Sequence, residues 1–304
     1  MDIYDIAIIG GGPAGVTAAL YASRAGKKAV LFERMFIGGQ VAVTPHVKNY
    51  PGGSSSDGMQ IAATMKAQLK ETGTDVRTEQ VTAFEKDGPD HVIVTSKGRY
   101  KAACVILAMG APARRLGIPG EDEYASRGVS YCAVCDGFFH KGKNVAVIGS
   151  GNTAFDDALY LSDIAETVYL VSPAKKFTAL DVFIKRAKEK ANIEFKVPYT
   201  ADGIEGDGLV NSLAVKNKDT GEKETLSVTG VFIAAGAAGN SAVKPDGVKT
   251  DDKGFIIADE SCATGVPGVY AAGDIRKMAL RQIVTATADG ANAVTSALEY
   301  LNGR

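Results

Sequence analysis

Two cysteines at C-x-x-C spacing, Cys132 and Cys135 in YCAVCDG, are the residues of this chain best suited to chemistry. Such a pair can close a small reversible disulfide when its second cysteine starts a helix. Asp136 follows directly, where a carboxylate could pass a proton to or from the dithiol or could equally cap a helix. The competing chemistry is half of a zinc site. Zinc needs four ligands, however, and Cys104 and Cys262 stand alone while His46, His91 and His140 lack ligand spacing, so no metal is expected. Cys104, in an apolar strand, and Cys262, in SCATG, read as small structural residues.

Phosphate binding is the second chemistry the residue pattern allows. DIAIIGGGPAG places Gly10, Gly12 and Gly15 in a G-x-G-x-x-G turn between a short apolar strand and a helix reaching Ala25. A helix N-terminus presents unpaired N–H groups and a partial positive charge, and glycines let a pyrophosphate approach that backbone closely. Glu33 ends the following strand, KAVLFE, where a carboxylate can accept hydrogen bonds from an adenosine ribose. The bland alternative is a glycine-rich connector in a ligand-free domain.

The elements needed to position these residues occur twice. NVAVIGSGNTA repeats the strand and turn with Gly149, Gly151 and Ala154 in matching places, followed by a helical DDALYLS and a strand TVYLV. Each copy has a later strand that stops at glycine, VILAMGA from Val105 and VFIAAGA from Val231. Loop-like segments rich in Pro and Gly flank the second copy. The predicted fold is therefore α/β, with two Rossmann-like dinucleotide-binding domains, the second inserted into the first. Residues 1–114 and 242–304 form the first domain, closing with a strand in VYAAGD and a helix from Ile283 to Leu301, and residues 115–241 form the inserted one.

Composition excludes other classes. A net charge of −1 gives no footprint for nucleic acid or an anionic membrane, and no apolar run reaches membrane-spanning length. The opening MDIYDIAIIG is acidic and strand-like rather than a leader, so a cytoplasmic protein is expected. Four cysteines in 304 residues are too few for a disulfide scaffold, and 35 glycines indicate many tight turns.

Over nearly its whole length the sequence resembles the low-molecular-weight thioredoxin reductases, which are two-domain flavoproteins. The resemblance is carried by IGGQV from Ile37, NYPG from Asn49, LAMGAPARRLGIPGE from Leu107, YCAVCDG and VYAAGDIRKMALRQIVTA from Val269. It implies FAD as cofactor, with Asp274 at the ribitol or phosphate region, Arg281 and Gln282 beside the flavin, and Gln40 and Asn49 lining the isoalloxazine pocket. It extends the cofactor contacts to Gly10, Gly12, Pro13, Ala14, Gly15, Glu33, Gly39, Val81, Ala108, Gly110 and Ile283. It further implies that Cys135 takes electrons from the flavin while Cys132 attacks the disulfide of thioredoxin, and that the enzyme is a homodimer.

The second nucleotide site departs from that family. Ser172 occupies the position that Glu33 holds in the first copy, and SPAKKFT stands where NADPH-linked members carry a His-Arg-Arg cluster and a later Arg for the 2′-phosphate. Ser172, Pro173, Ala174 and Thr178 thus replace all four, and no acid suited to NADH ends the strand. AAGAAGNS likewise lacks the family's Gly-His/Arg-x-Pro-Asn segment. Loss of these motifs is similar to the ferredoxin-dependent flavin thioredoxin reductases, so reduced ferredoxin is the expected donor. Arg276, Lys277, Lys175 and Lys176 are candidate contacts for that acidic partner. The alternatives are an NADPH-dependent enzyme in which Lys175 and Lys176 grip the phosphate, the flavoprotein of a peroxide-reducing system, and a non-catalytic flavin-binding redox sensor, against which the intact C-x-x-C-D argues.

Overall fold

Strand β1 (Asp2–Ile9) takes the centre of a sheet because Ile6, Ala7, Ile8 and Ile9 are buried on both faces, the pattern of a parallel strand covered on each side. The computed structural model describes residues 2–44, 47, 49–52, 57–111, 113–237 and 239–304; His46, weighed above as a metal ligand, lies outside them. Helix α1 (Pro13–Arg24) follows, with Gly12 as its N-cap and Pro13 at its first position, where the missing N–H costs nothing. The chain continues through β2 (Ala29–Glu33), a 3-10 turn at Gly39–Val43, α2 (Gly58–Glu71), β3 (Asp75–Thr78), β4 (Val81–Asp87), β5 (Asp90–Thr95) and β6 (Arg99–Leu107).

The next stretch builds separate sheets. It contains β7 (Val129–Ser130), α3 (Ala133–Asp136), β8 (Val145–Ile148), α4 (Asn152–Ser162), β9 (Val168–Val171) and α5 (Asp181–Lys188). It ends with β10 (Ile193–Lys196), β11 (Tyr199–Asp207), β12 (Leu209–Asn217), β13 (Lys223–Ser227) and β14 (Gly230–Ile233). The first sheet is then completed by β15 (Val269–Ala271), and the chain ends in α6 (Ile283–Asn302).

Two compact units result, residues 1–112 with 238–304, and residues 113–237. The second unit starts and stops slightly earlier than the loop composition indicates. An antiparallel bridge between Ala113 and Ala237 and the bond from Arg114 N–H to the Gly236 carbonyl tie its two ends together there.

In the first unit the strand order is β3-β2-β1-β6-β5-β4, and β1 pairs in parallel with β2 and β6. β6 shares one edge between β5, antiparallel along Arg99–Ala102, and β15, parallel along Val105–Leu107. In the second unit the parallel order β10-β9-β8-β14-β7 carries the repeated nucleotide-type fold, and a separate antiparallel sheet, β11-β12-β13, packs on it through a shared core that includes Leu213, Val215, Ala146 and Val231. Both units thus place a helix immediately after the strand that pairs on both sides, the arrangement that sets a glycine turn at the carboxyl ends of the strands.

Helix α6 packs on α1 through a face of small residues. Ala286, Gly290, Ala293, Val294 and Ala297 recur at helical spacing and are buried, as are Ala14, Ala18, Ala19 and Ala22 of α1. The backbones come so close that a Cβ added at Gly290 would run into the Ala14 carbonyl oxygen and lie 3.0 Å from the Thr17 Cβ. A Gly290→Ala variant is therefore expected to lose about 1–3 kcal/mol of stability through overpacking, read as a lower denaturation midpoint. An unchanged midpoint would mean that the two helices separate freely.

Candidate active site

The first glycine turn divides its residues between two tasks. Gly10 adopts φ +109°, and an added Cβ there would collide with the carbonyl of Ala108; one at Gly15 would collide with the carbonyl of Gly10. These two glycines let the helix start against the sheet. At Gly12, by contrast, an added Cβ would meet nothing within 4 Å, so this N-cap glycine faces open space in front of the α1 N-terminus. Pro13 and Ala14 form the first helical positions behind it. Ala108 donates its N–H to Ile9 at the end of the central strand, and Gly110 turns the following chain with φ +67°.

Glu33 closes the opposite side of the turn. Its carboxylate accepts the N–H of Gly11 at 2.8 Å and that of Met35 at 2.9 Å. Each carboxylate oxygen retains a second lone pair for a ligand hydroxyl. Beyond it Gly39, at φ +55°, opens the 3-10 turn, and Gln40 donates from its side-chain amide to the Ala111 carbonyl. Val81 begins β4 and is half-buried.

The C-terminal segment supplies the other candidate contacts. Asp274 lies in a 3-10 turn at Gly273–Ile275, and its Oδ1 is buried without a hydrogen-bond partner. Burial pushes its carboxyl above the usual range, Arg281 opposes the shift and Asp289 adds to it. A buried carboxylate oxygen left in this condition is costly unless a ligand hydroxyl or a proton satisfies it, which fits the sugar-alcohol or phosphate region of a dinucleotide. Arg281 stacks 3.7 Å from the Phe255 ring centroid and donates to the carbonyls of Asp274 and Arg276. Gln282 caps α6 in a reciprocal box with Thr285, ahead of Ile283 at the first helical position. Its Oε1 also accepts the Asn49 amide at 2.8 Å, so two residues 233 apart in sequence meet.

One expectation fails here. Arg276 is not a docking cation; it is buried, and its Nη1 pairs with Asp289 at 2.6 Å while its Nη2 donates to the Asp259 carbonyl at 2.7 Å. Asp289 in turn accepts the Gly273 N–H at 3.0 Å, so the pair braces the turn that carries Asp274. A lone arginine in a run of loop residues gives no sign of this, because its partner comes from α6. Lys277 is exposed, and Lys175 pairs with Asp219 at 2.7 Å.

Cys132 and Cys135 form a disulfide in the second unit, with Cα atoms 5.4 Å apart. The helix begins at the first cysteine rather than the second. Cys132 is the N-cap of α3, and its Sγ accepts the Cys135 N–H at 3.2 Å, because the free amides of a helix start need an acceptor and the sulfur is the nearest one. Cys135 is exposed and Cys132 half-buried. Asp136 is the last residue of α3 and does not cap it; it accepts the Ser130 hydroxyl at 2.6 Å.

A second brace precedes the pair. Glu121 is buried, and it accepts the Tyr131 hydroxyl at 2.5 Å and the N–H groups of Leu116, Gly117 and Ile118. Burial alone would raise its carboxyl, but the bond from Tyr131 and the three amides outweigh burial and hold it below the usual range. Ser130 carries no motif signal, although it lies two residues before Cys132; Glu121 ends the LAMGAPARRLGIPGE segment, whose pattern gives no sign of this brace. Cys104 and Cys262 are buried thiols, each pushed up to about 12 by burial, and therefore inert. Among the described residues no three His, Cys, Asp or Glu side chains gather as metal ligands, and no helix is long and apolar enough to cross a membrane.

At the second glycine turn, Gly149 repeats Gly10: an added Cβ would collide with the Ala234 carbonyl. Ser172, at the end of β9, is completely buried, and its hydroxyl is engaged with the backbone of Ala174. Thr178 approaches the turn, its hydroxyl and N–H both reaching the Ser150 carbonyl, and a Cβ added at Gly151 would lie 3.5 Å from the Thr178 hydroxyl.

Comparison with known proteins places this geometry. Residues 4–290 match the pyridine nucleotide-disulphide oxidoreductase family. Thioredoxin reductase of Helicobacter pylori is 42% identical over 98% of both chains. The crystal structure of Lactococcus lactis thioredoxin reductase in its FR conformation is 37% identical, with a TM-score of 0.95 over 99% of this chain and 100% of that one. A ferredoxin-flavin thioredoxin reductase from Clostridium acetobutylicum is 30% identical, with a TM-score of 0.56 over 100% of both chains. The expected nearer likeness to the ferredoxin-dependent branch is therefore corrected. It rested on one strand-end loop and one turn, whereas the remainder of the chain follows the pattern shared by the whole family.

The contrast between Gly12 and its neighbours yields a direct test. Gly12→Ala is expected to leave the denaturation midpoint of the cofactor-free protein nearly unchanged and to weaken FAD binding roughly tenfold or more, because the methyl group occupies only ligand space. Flavin fluorescence titration measures it. FAD affinity equal to that of the wild type would remove the first turn from the cofactor site.

Proposed function

The chain belongs to the pyridine nucleotide-disulphide oxidoreductase family and, within it, to the thioredoxin reductases, and from that premise we propose how electrons enter and leave it. It is a flavoprotein disulfide oxidoreductase with FAD as cofactor. The first glycine turn, Glu33 and Asp274 would hold FAD, and Gln40, Asn49, Arg281 and Gln282 would supply contacts to its ring. FAD accepts electrons singly or in pairs and so connects donors of either kind to a two-electron disulfide.

The protein's own residues then perform the exchange. Reduction opens Cys132–Cys135 to a dithiol. Cys132, whose sulfur receives the Cys135 N–H, attacks the disulfide of thioredoxin and forms a mixed disulfide. Cys135 attacks Cys132, the mixed disulfide breaks, and thioredoxin leaves with two thiols. Asp136 takes up the proton released by the attacking thiol and returns it to the departing one. The enzyme acts in the cytoplasm as a homodimer.

For the donor, we propose reduced ferredoxin. The observation that carries this is Ser172, a neutral side chain sealed at the strand end where a nicotinamide nucleotide needs an acid or a cation. Thr178, bonded to the second turn beside Gly151, adds to it. Two ferredoxin encounters supply each disulfide. Exposed Lys176 and Lys277 are cations suited to an acidic partner. A second reading, NADPH as donor, is favoured by the family to which the chain belongs and by the intact Gly149 turn.

Anaerobic mixing of the FAD-loaded protein with each donor separates the two. Reduced ferredoxin is expected to bleach the flavin rapidly, more slowly at high salt, while NADPH and NADH act poorly even in excess. Fast, saturable bleaching by micromolar NADPH would overturn the ferredoxin assignment and establish the second reading.

A further inference from the structure

The catalytic cysteine pair and the carboxylate beside it are held from a single side chain that takes no part in the exchange described so far. Ser130 is the last residue of β7, buried at 5% exposure, and stands opposite Phe232 of β14 in the parallel register. Its Oγ lies 2.6 Å from Asp136 Oδ2, accepts the Cys132 N–H at 3.0 Å, and stands 3.2 Å from the Cys132 carbonyl. A hydroxyl has one proton to give, and the short, charge-assisted bond to the carboxylate takes it in preference to the longer approach to the carbonyl. The backbone of one redox cysteine and the carboxylate that follows the other are thereby tied to one oxygen atom on a strand.

The neighbouring contacts make this anchorage specific. The Asp136 N–H donates to the Cys132 carbonyl at 3.2 Å, closing the first turn of α3. Tyr131, between Ser130 and Cys132, is fixed independently by Glu121. Side-chain freedom in this stretch is thus removed at two consecutive residues, and only the hydrogen-bond set of the first, Ser130, reaches the group proposed to move the proton.

We propose that Ser130 is a positioning residue for disulfide exchange, its hydroxyl fixing the Asp136 carboxylate and the Cys132 backbone in one geometry throughout the cycle. This rests on the proposed part of Asp136 in thioredoxin reduction. The chemical balance is unchanged. The enzyme dithiol loses an electron pair to the thioredoxin disulfide, one sulfur–sulfur bond forms in the enzyme as one breaks in thioredoxin, and the protons of the dithiol end on the thioredoxin thiols. Ser130 contributes no proton of its own; it sets where Asp136 can accept and return one.

The test is a double-mutant cycle on the FAD-loaded, full-length enzyme with thioredoxin as substrate. Ser130→Ala is expected to lower kcat at least about tenfold, as loss of a hydrogen bond to a charged group does, with the KM for thioredoxin and the flavin spectrum unchanged. Ser130→Thr, which restores a hydroxyl, should recover most of the rate. In an Asp136→Asn background Ser130→Ala should cause little further loss, because the two residues act as one unit. Wild-type kcat in Ser130→Ala, or full multiplication of the two losses in the double variant, overturns the inference while leaving Asp136 in place. Wild-type kcat in Asp136→Asn removes the Asp136 step itself and the inference with it.

Discussion

The close approach of helix backbone to strand backbone at the glycine turns is the constraint on which the other features depend. At Gly10 and Gly15 a single added carbon has no room, and at Gly149 the same is true in the second unit. Only where these positions lack side chains can a helix begin directly at the carboxyl end of a central parallel strand with its free N–H groups facing outward. The small-residue face between α1 and α6 extends the constraint, since α6 must lie against α1 for its N-terminus, Gln282, to meet Asn49. The Arg276–Asp289 pair then braces the Gly273–Ile275 turn from the same helix. Burying that pair costs desolvation, which the bonds to the Asp259 carbonyl and the Gly273 N–H offset in part, the Arg276 Nε being buried without a partner.

The two copies of the turn differ in what surrounds them rather than in how they are built. In the first, Gly12 opens on empty space and Glu33 stands at the strand end with lone pairs to spare. In the second, Thr178 stands beside Gly151, and the strand-end residue is a sealed serine. The same backbone solution therefore leaves open space at the helix start in one unit and a side chain beside it in the other, whose redox disulfide is carried by a different element, α3. Around the disulfide, polar groups are satisfied locally: Glu121 by Tyr131 and three amides, Asp136 by Ser130, and the Cys135 amide by the Cys132 sulfur. Fully paired groups of this kind are rigid, and rigidity keeps an exchange reaction aligned.

Features set by neighbours in sequence are legible in the residues themselves. The strand–turn–helix repeat, the helix from Ile283, the strand ending at Glu33 and the C-x-x-C-D group all follow from short-range patterns of glycine, apolar runs and cysteine spacing, whereas the strand read from Val105 to a glycine stop is β6, which starts at Arg99 and ends at Leu107. The features that escape such patterns are set by contacts across the chain. Nothing in RKMALRQ distinguishes the buried Arg276 from the exposed Lys277, because the difference lies in Asp289 of α6. The meeting of Asn49 with Gln282 and of Tyr131 with Glu121 likewise depends on folding. Ser130 is within reach of sequence, being two residues from Cys132, but a serine near a cysteine is common and only its bond to Asp136 gives it meaning. The placement of the chain beside the ferredoxin-dependent branch fails for a related reason: a few residues of one loop report on one ligand contact, not on the descent of the whole chain.

The central claim is that electrons held by the flavin pass into Cys132–Cys135 and nowhere else in the protein. Anaerobic titration of the FAD-loaded protein with dithionite, followed by flavin absorbance and by counting of free thiols, measures this most directly. The account predicts that the wild type stores one electron pair in the flavin and a second in the cysteine pair, with new thiols at Cys132 and Cys135, and that Cys135→Ser stores only the first. Equal uptake by the two proteins, or full reduction of the wild-type flavin with no new thiols, would contradict it.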